Sequence, residues 1–569
     1  MGNKPKKVVV VGGVAGGATA AARIRRLSEE CEIIMLEKGP HVSFSNCSLP
    51  YHLSGLIEDH EDLVMMKPDD FYSQYRIDAR IYNEVTEIDR ENKKVKIKNL
   101  VTGEEYEETY DKLVLSPGAN PIVPPFEGLE KVNYFTIRNV VDVAKLNSFL
   151  TDSVSKDVVV IGGGFIGVEV CENLKLGGYN VTLIEATPQI MNVFDYDMVQ
   201  ILHKEMIDND VNLIVNDKVM KFDKDEVILE SSKSIHADAV VIAIGVTPDT
   251  RLAEKAGLKI GQTRAIEVNH NFQTSDPDIY AVGDAIEAYN TLTNKRARLA
   301  LAGPALRQAR SAADHMFGKS VDNRGVIGSS AIKLFDLNAA VTGLTENAIK
   351  INNLALNYDS VMIIPNDKVG LMPDANPIHF KLIFEVPTGR ILGAQAIGRG
   401  NVDKRIDIIA TLIRFNGTLY DLKEMELCYA PPFSTARDVV NVAALVGINV
   451  LENNYKQVHV SEVRDLVESG AYIIDVREKD EYEEGHLINA VNIPLSEIRN
   501  RTNEIPTDRP VYLHCRSSQR SYNALTALQH LGFTNLYNIS GSFMGICYYE
   551  YFNDVTTNRK PIVTKYNFK

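Results

Sequence analysis

An apolar run that ends in a cluster of glycines occurs twice in this chain, and that repetition constrains the fold more than any other feature. Val8 to Val11 leads into Gly12-Gly13-Val14-Ala15-Gly16-Gly17, a helical stretch rich in Ala and Arg to about Leu27, and a second apolar run, Glu32 to Leu36, closing on Glu37. Val158 to Ile161 leads into Gly162-Gly163-Gly164-Phe165-Ile166-Gly167, a helix to about Leu176 ended by Gly177-Gly178, and a strand, Val181 to Ile184, closing on Glu185. Each reads as a strand, glycine turn, helix and strand that bind a dinucleotide. The turn lets backbone approach a pyrophosphate, and the helix N-terminus attracts its charge. In the second unit all three motif glycines stand, Gly162, Gly164 and Gly167; in the first, Gly12 and Gly17 flank Val14, which occupies the middle position. A carboxylate at the end of the second strand, Glu37 or Glu185, can accept ribose hydroxyls. Glu185 pairs with a free 2′-hydroxyl and repels a 2′-phosphate, so NADH is expected to be preferred over NADPH.

At 569 residues the chain is too long for one core. Its net charge of −14 argues against nucleic acid or an anionic membrane as partner, and any anionic ligand needs a local basic site. No stretch reaches the ~20 apolar residues of a membrane helix, and the start, MGNKPKK followed by VVVVGG, lacks a signal h-region. Six cysteines (31, 47, 171, 428, 515, 547) lie far apart, follow no metal-ligand spacing and suit a reducing compartment. The expectation is a cytoplasmic protein without a metal site.

Cys47 lies within HVSFSNCSLPY, His41 to Tyr51, shortly after the first nucleotide unit. Ser48-Leu49-Pro50 reads as the first turn of a helix, and a helix N-terminus favours thiolate. Polar Ser43, Ser45, Asn46 and Ser48 surround the sulfur. The residues alone allow a redox cysteine beside a bound flavin or a buried, inert one. Asp284, in Thr274 to Ala285, TSDPDIYAVGDA, follows a strand and starts a helix; it suits ribityl hydroxyls or a plain N-cap.

The paired nucleotide units, SPGANP at Ser116 to Pro121, and TSDPDIYAVGDA together resemble the flavin- and pyridine-nucleotide-dependent disulfide oxidoreductases, over about the first 450 residues. Those enzymes usually carry two cysteines; here the position five after Cys47 is His52, which points to the single-cysteine branch of coenzyme A disulfide reductases, NADH oxidases and NADH peroxidases. SFSNCSLPY is similar to the coenzyme A disulfide reductase segment, and Ala15 stands where oxidases and peroxidases usually have histidine. The resemblance implies FAD and NADH (with NADPH as an option) as cofactors, held through Gly12, Gly17, Glu37, Lys38, Ser116, Asp284, Gly162, Gly164, Gly167 and Glu185. It implies coenzyme A contacts at Thr19, Arg23, Arg26, Ser43 and Asn46; the arginines share a helix face, which otherwise reads as a solvated one. It also implies a homodimer in which Tyr429, from Cys428-Tyr429-Ala430-Pro431-Pro432-Phe433-Ser434, reaches the partner's active site as a hydrogen-bond donor. A second tyrosine usual before Pro373 is replaced by Met372.

The C-terminal stretch resembles a rhodanese domain through Asp475-Val476-Arg477, Gly485-His486-Leu487-Ile488-Asn489-Ala490, and the loop Cys515-Arg516-Ser517-Ser518-Gln519-Arg520-Ser521. Loop amides at a helix start form an anion nest that suits a Cys515 thiolate or persulfide, with Arg516 in the loop and Arg520 adding fixed charge. Five parts follow. They are an FAD-binding domain at 1–118 and 249–324, an NAD(H)-binding domain at 119–248, a dimerisation domain at 325–449, a linker at 450–457 and a rhodanese domain at 458–569. The expected fold class is α/β: two Rossmann-like domains, an α+β dimerisation domain and an α/β rhodanese domain. The whole resembles a coenzyme A disulfide reductase–rhodanese fusion, similar to NADH-dependent persulfide reductases. The expected catalytic residues are Cys47, Cys515 and Tyr429, and the substrate is a coenzyme A disulfide, coenzyme A persulfide or polysulfide. An NADH oxidase or peroxidase cycling Cys47 through sulfenic acid, and a sulfur carrier or polysulfide sensor, are the alternatives.

Overall fold

Continuous valine and isoleucine runs bounded by glycine are strands buried on both faces, and both runs sit at the centre of a parallel sheet. The computed structural model describes residues 4–152 and 156–568; the first three residues of the MGNKPKK start and the last residue of the expected rhodanese domain lie outside them. The chain divides into two units, 1–188 with 214–326, and 189–213 with 327–569.

In the first unit, one sheet runs in the order Ile279–Ala281, Lys112–Leu115, Lys7–Val11, Glu32–Leu36, Asp78–Arg80, all parallel. Val8, Val9 and Val10 are fully buried in it. Helices Ala15–Leu27 and Ala302–Met316 pack against each other beside this sheet. A second parallel sheet sets Tyr134–Phe135, Ala239–Ile242, Asp157–Ile161 and Asn180–Ile184 side by side. Helix Phe165–Leu176 of this second fold packs onto the segment Asn46–His52 that carries Cys47.

In the second unit, an antiparallel sheet runs Ser329–Leu334, Leu337–Gly343, Ile391–Gly398, Ile378–Glu385, Tyr358–Ile363. A parallel sheet runs Lys456–Val458, Leu536–Ile539, Val511–His514, Tyr472–Asp475, Val491–Asn492.

Within the expected nucleotide domain at 119–248, residues 189–213 group with the second unit, while Asn212–Ile214 is the edge strand of the second parallel sheet. Their helix, Tyr196–Asp208, packs on the last helix, Ser542–Thr557, with Tyr196 edge-on to Tyr549 at 5.7 Å and His203 against Phe552 at 4.5 Å. The polar run at 450–457 is not a free linker: helix Val439–Leu451 enters it, and Lys456–Val458 is an edge strand. Between them Tyr455 is buried against the Tyr522 ring, because an aromatic side chain gains more by burial than a polar neighbourhood suggests. No helix among the described residues is long and apolar enough to cross a membrane.

Candidate active site

The first glycine turn closes tightly around itself. A Cβ on Gly12 would lie 2.1 Å from the Ser116 carbonyl oxygen, and one on Gly17 would lie 1.7 Å from that of Gly12, so only glycine fits either place. Glu37 braces the turn, accepting the Gly13 amide at 2.9 Å and the Gly39 amide at 2.8 Å. Ser43, at φ 48°, donates its amide to the Gly13 carbonyl at 2.8 Å and so ties the cysteine segment to the turn.

These elements surround a cavity of about 850 Å³, which is the size of a cofactor site. Its walls include Gly12, Glu37, Lys38, Asn46, Cys47, Ser116 and Asp284. Glycine backbone at one end, carboxylates at ribose and ribityl positions and a cysteine at the wall form a donor set that fits a flavin dinucleotide. Lys38 lies 3.6 Å from Asp249, whose carboxyl is lowered to about 2: burial opposes this, and Arg251, Asn120 and Lys38 outweigh it. Arg138, which sequence reasoning missed, joins Asn46 to Asp284. It donates to the Asn46 side-chain oxygen at 2.7 Å, accepts the Asn46 amide on its carbonyl at 2.8 Å, and its guanidinium lies 3.9 Å from Asp284. Asp284 sits in the single turn Gly283–Ala285, not at the head of a longer helix. Burial pushes its carboxyl up, against Arg138.

The expectation of a thiolate-stabilising helix at Cys47 needs correction. Asn46–His52 is a 3-10 stretch with Cys47 inside its first turn, so the aligned amides of an α-helix N-terminus are missing. Cys47 is exposed at the cavity wall. Loss of water around the sulfur, then Glu169 and Asp284, raise its pKa. Glu169, on helix Phe165–Leu176, is pushed up to about 7 by burial and Glu172, so an acid that trades protons at neutral pH belongs to the field of Cys47. His52, at the position of a second cysteine, is buried; its ring nitrogens lie 2.8 Å from the Ile57 carbonyl oxygen and 3.2 Å from Asn147 Nδ2.

Thr19, Arg23 and Arg26 line a separate pocket of about 250 Å³ with Leu306, Arg307 and Arg310. The last two come from helix Ala302–Met316 and carried no sequence signal beyond their i,i+3 spacing. Arg23 is paired with Asp314 at 2.5 Å, and Arg26 lies over the Tyr75 ring at 5.5 Å. Of the five residues expected to touch coenzyme A, Asn46 therefore faces the large cavity, three face the arginine pocket, and Ser43 contributes backbone to the turn.

The second glycine turn differs from the first. Gly162 and Gly167 are closed to a Cβ by the Ala243 and Gly162 carbonyl oxygens at 2.5 and 1.9 Å, whereas a Cβ on Gly164 would meet nothing within 4 Å. Open space over the middle glycine is where a pyrophosphate would approach the backbone. Glu185 accepts the Gly163 amide at 2.7 Å and the Thr187 amide at 2.8 Å, which fixes its carboxylate beside that space.

In the second unit, Cys515 is buried between strand Val511–His514 and helix Gln519–His530, with Ser518 in the left-handed region at φ 77°. Its amide donates to Ser542 Oγ at 3.2 Å, and Ser521 Oγ donates to its sulfur at 3.7 Å. Arg516 is half-buried, and burial lowers its pKa. The guanidinium of Arg520, the expected fixed charge, holds both oxygens of Glu481, at 2.5 and 2.7 Å. Tyr429 is half-exposed, beside the exposed Phe433.

Residues 6–309 match the pyridine nucleotide-disulphide oxidoreductases, 329–439 the dimerisation domain of the same proteins, and 459–548 the rhodanese-like domain. The coenzyme A disulfide reductase of Staphylococcus epidermidis is 34% identical over 442 residues, covering 77% of this chain and 98% of that protein. The crystal structure of reduced Bacillus anthracis CoADR-RHD is 42% identical with a TM-score of 0.93, covering 96% of this chain and 98% of the other. A NAD-dependent persulfide reductase from A. fulgidus is 35% identical with a TM-score of 0.90, covering 95% of this chain and 99% of the other.

Proposed function

This chain belongs to the pyridine nucleotide-disulphide oxidoreductases, and on that premise we propose that it is an NADH-dependent FAD enzyme reducing coenzyme A disulfide, coenzyme A persulfide or polysulfide through Cys47, joined to a sulfurtransferase centred on Cys515. The observation that carries this is the single cysteine at the wall of the glycine-turn cavity, with His52 where a second cysteine would stand. FAD held by Gly12, Gly17, Glu37, Lys38, Ser116 and Asp284 would supply two-electron chemistry between a nicotinamide and a sulfur. The Cys47 thiolate attacks one sulfur of the substrate's S–S bond, that bond breaks, and the departing sulfur takes the electron pair as thiolate, leaving Cys47 in a mixed disulfide with coenzyme A or, from a persulfide, as a persulfide. Glu169, on the helix packed against the Cys47 segment, would return a proton to that leaving group. Two electrons supplied by NADH through the flavin would then cleave the sulfur–sulfur bond at Cys47, releasing coenzyme A thiolate or hydrosulfide and returning Cys47 as thiolate. Ala15 at the oxidase histidine position leaves peroxide chemistry without its assisting group.

The arginine pocket suits the phosphates of coenzyme A. Ala15 lines the large cavity and Arg23 the small one, about 12 Å apart along one helix at 1.5 Å per residue. An extended thiol with phosphates at its far end spans that distance. Arg307→Ala with Arg310→Ala should raise KM for coenzyme A persulfide roughly tenfold with kcat retained, and leave KM for inorganic polysulfide unchanged. The measurement is NADH oxidation over a substrate panel with sulfide detection. Oxygen or peroxide consumption exceeding every sulfur substrate would favour the oxidase reading instead.

NADH should exceed NADPH in kcat/KM, because the fixed Glu185 carboxylate repels a 2′-phosphate. Glu185→Ala should narrow the preference; equal values for both donors in the unaltered protein would remove Glu185 from this role. The exposed Tyr429 and Phe433 suit a homodimer interface in which Tyr429 serves the partner's site, and the balance of composition suits the cytoplasm.

A further inference from the structure

The loop around Cys515 is expected to receive anionic sulfur; besides the half-buried Arg516 of the loop, two further arginines, Arg477 and Arg520, are already engaged by carboxylates. Arg477 is buried, forms a bidentate pair with Asp475, donates to the Gly485 carbonyl at 2.7 Å, and lies over the Phe543 ring at 4.1 Å. That leaves it no reach toward a ligand. Arg520 holds both oxygens of Glu481. Unlike the buried pair, this one sits at the rim, with side chains 32% and 29% exposed, so solvent and solutes reach it. Glu481 is itself anchored: it accepts the Glu478 amide at 3.2 Å in the first turn of helix Lys479–Glu484. The same helix brings Asp480, Glu483 and Glu484 against one lysine.

We propose that Glu481 is a specificity-determining residue of the Cys515 site: by engaging Arg520 it disfavours doubly charged sulfur donors such as thiosulfate relative to persulfides and polysulfides of lower charge. This rests on the sulfurtransferase reading of Cys515. With thiosulfate, the Cys515 thiolate bonds to the outer sulfur, the S–S bond of the donor breaks, and sulfite leaves with the electron pair; one thiolate and one dianion give one persulfide anion and one dianion. The incoming dianion must either take Arg520 from Glu481 or sit beside the carboxylate, and both cost binding. A persulfide with one charge or none pays less of that cost. Arg520 also holds the Glu481 carboxyl below its ordinary range, so the competing charge persists at neutral pH.

The test is thiosulfate binding to the full-length flavin-loaded chain carrying Cys515→Ala, which cannot turn over. Added Glu481→Gln should tighten sodium thiosulfate binding by roughly two- to fivefold at low salt, the worth of a partly exposed ion pair, with the gain shrinking as ionic strength rises. Arg520→Met alone should weaken thiosulfate binding, because the cation that the dianion would take from Glu481 is gone. Thiosulfate-to-thiol transfer should rise with Glu481→Gln in the Cys515-containing chain, and transfer from glutathione persulfide should not. Equal or weaker thiosulfate binding on Glu481→Gln overturns the proposal, as does unchanged thiosulfate binding in Arg520→Met. If Glu481→Gln lowers the melting temperature enough to unfold the domain, Glu481→Ser carries the same comparison. Absence of transfer by the unaltered chain, with binding behaving as stated, would instead refute the sulfurtransferase reading and leave the charge gate standing.

Discussion

Cys47→Ser lowers NADH-dependent reduction of coenzyme A disulfide and of coenzyme A persulfide by roughly a thousandfold or more, with fold and flavin content kept. The size follows from the chemistry. Attack on an S–S bond needs a thiolate, and an alcohol neither ionises near neutral pH nor forms a disulfide that two electrons can cleave. Of the six cysteines, Cys31, Cys171, Cys515 and Cys547 are buried and Cys428 is exposed in the second unit, so Cys47 is the one at the cavity wall. Reduction of the flavin by added NADH, followed by bleaching of its absorbance, should persist in Cys47→Ser, because that step needs the nucleotide sites alone. Cys515→Ser should show the reverse pattern, sparing coenzyme A disulfide reduction while losing thiosulfate-to-thiol transfer. NADH oxidation and sulfur transfer measured on the same preparations separate the roles. If Cys515→Ser, folded and flavin-loaded, loses both activities, the two cysteines form one obligatory relay and the independent assignment fails.

Lys381→Met should destabilise the second unit by about 3–5 kcal/mol, the cost of leaving a buried charge cluster without its cation. Lys381 is 4% exposed as a side chain, and its Nζ lies 2.8 Å from Asp197, 3.2 Å from Asp195 and 3.3 Å from Glu346. Gln395 donates to Asp195 at 2.6 Å and Ser360 to Glu346 at 2.6 Å. The cluster fastens helix Tyr196–Asp208 to the antiparallel sheet, so its loss should drop the melting temperature of that unit on the order of 10 °C. The pH dependence has a defined sign. Burial raises Glu346, but Lys381 outweighs it and the carboxyl is lowered; that stabilises above the ordinary carboxylate range and is lost as pH falls through the lowered value. Asp197 is raised by burial despite Lys381, and works in the opposite direction. Without Lys381, Glu346 behaves as Asp197 does: each costs stability at neutral pH and is relieved by protonation. The deficit of Lys381→Met should therefore be largest near pH 7 and shrink toward about pH 4.5. Thermal melts across that range test it. A deficit that grows on acidification would mean that Lys381 acts by packing alone.

Much of the active site was legible because its chemistry is local. Gly12, Gly17, Gly162 and Gly167 must be glycine for backbone reasons that a few neighbouring residues announce, and Cys47 follows the first unit closely enough to fall on the same cavity. Arg138, Arg307, Arg310 and Glu169 were not legible. Each lies far in sequence from the group it serves, and an arginine or glutamate on a helix reads equally well as solvated surface. The partner of Arg520 was hidden for the same reason: the loop spells out an arginine, but Glu481, 39 residues earlier, meets it only in the folded protein.

The sequence by itself determined the order of the nucleotide-binding, dimerisation and rhodanese folds and their α/β class, and singled out Cys47 and Cys515 as candidates, because glycine turns, apolar strand runs and short anion-binding loops are set by residues adjacent in the chain. Tertiary structure alone decided that helix Tyr196–Asp208 packs on the last helix, Ser542–Thr557, and that Tyr455 is buried against Tyr522. It alone decided the proton affinities around Cys47 and the neutralisation of Arg520. Burial and Coulomb interaction depend on distance through space, and residues far apart along the chain become neighbours only when the sheets pack.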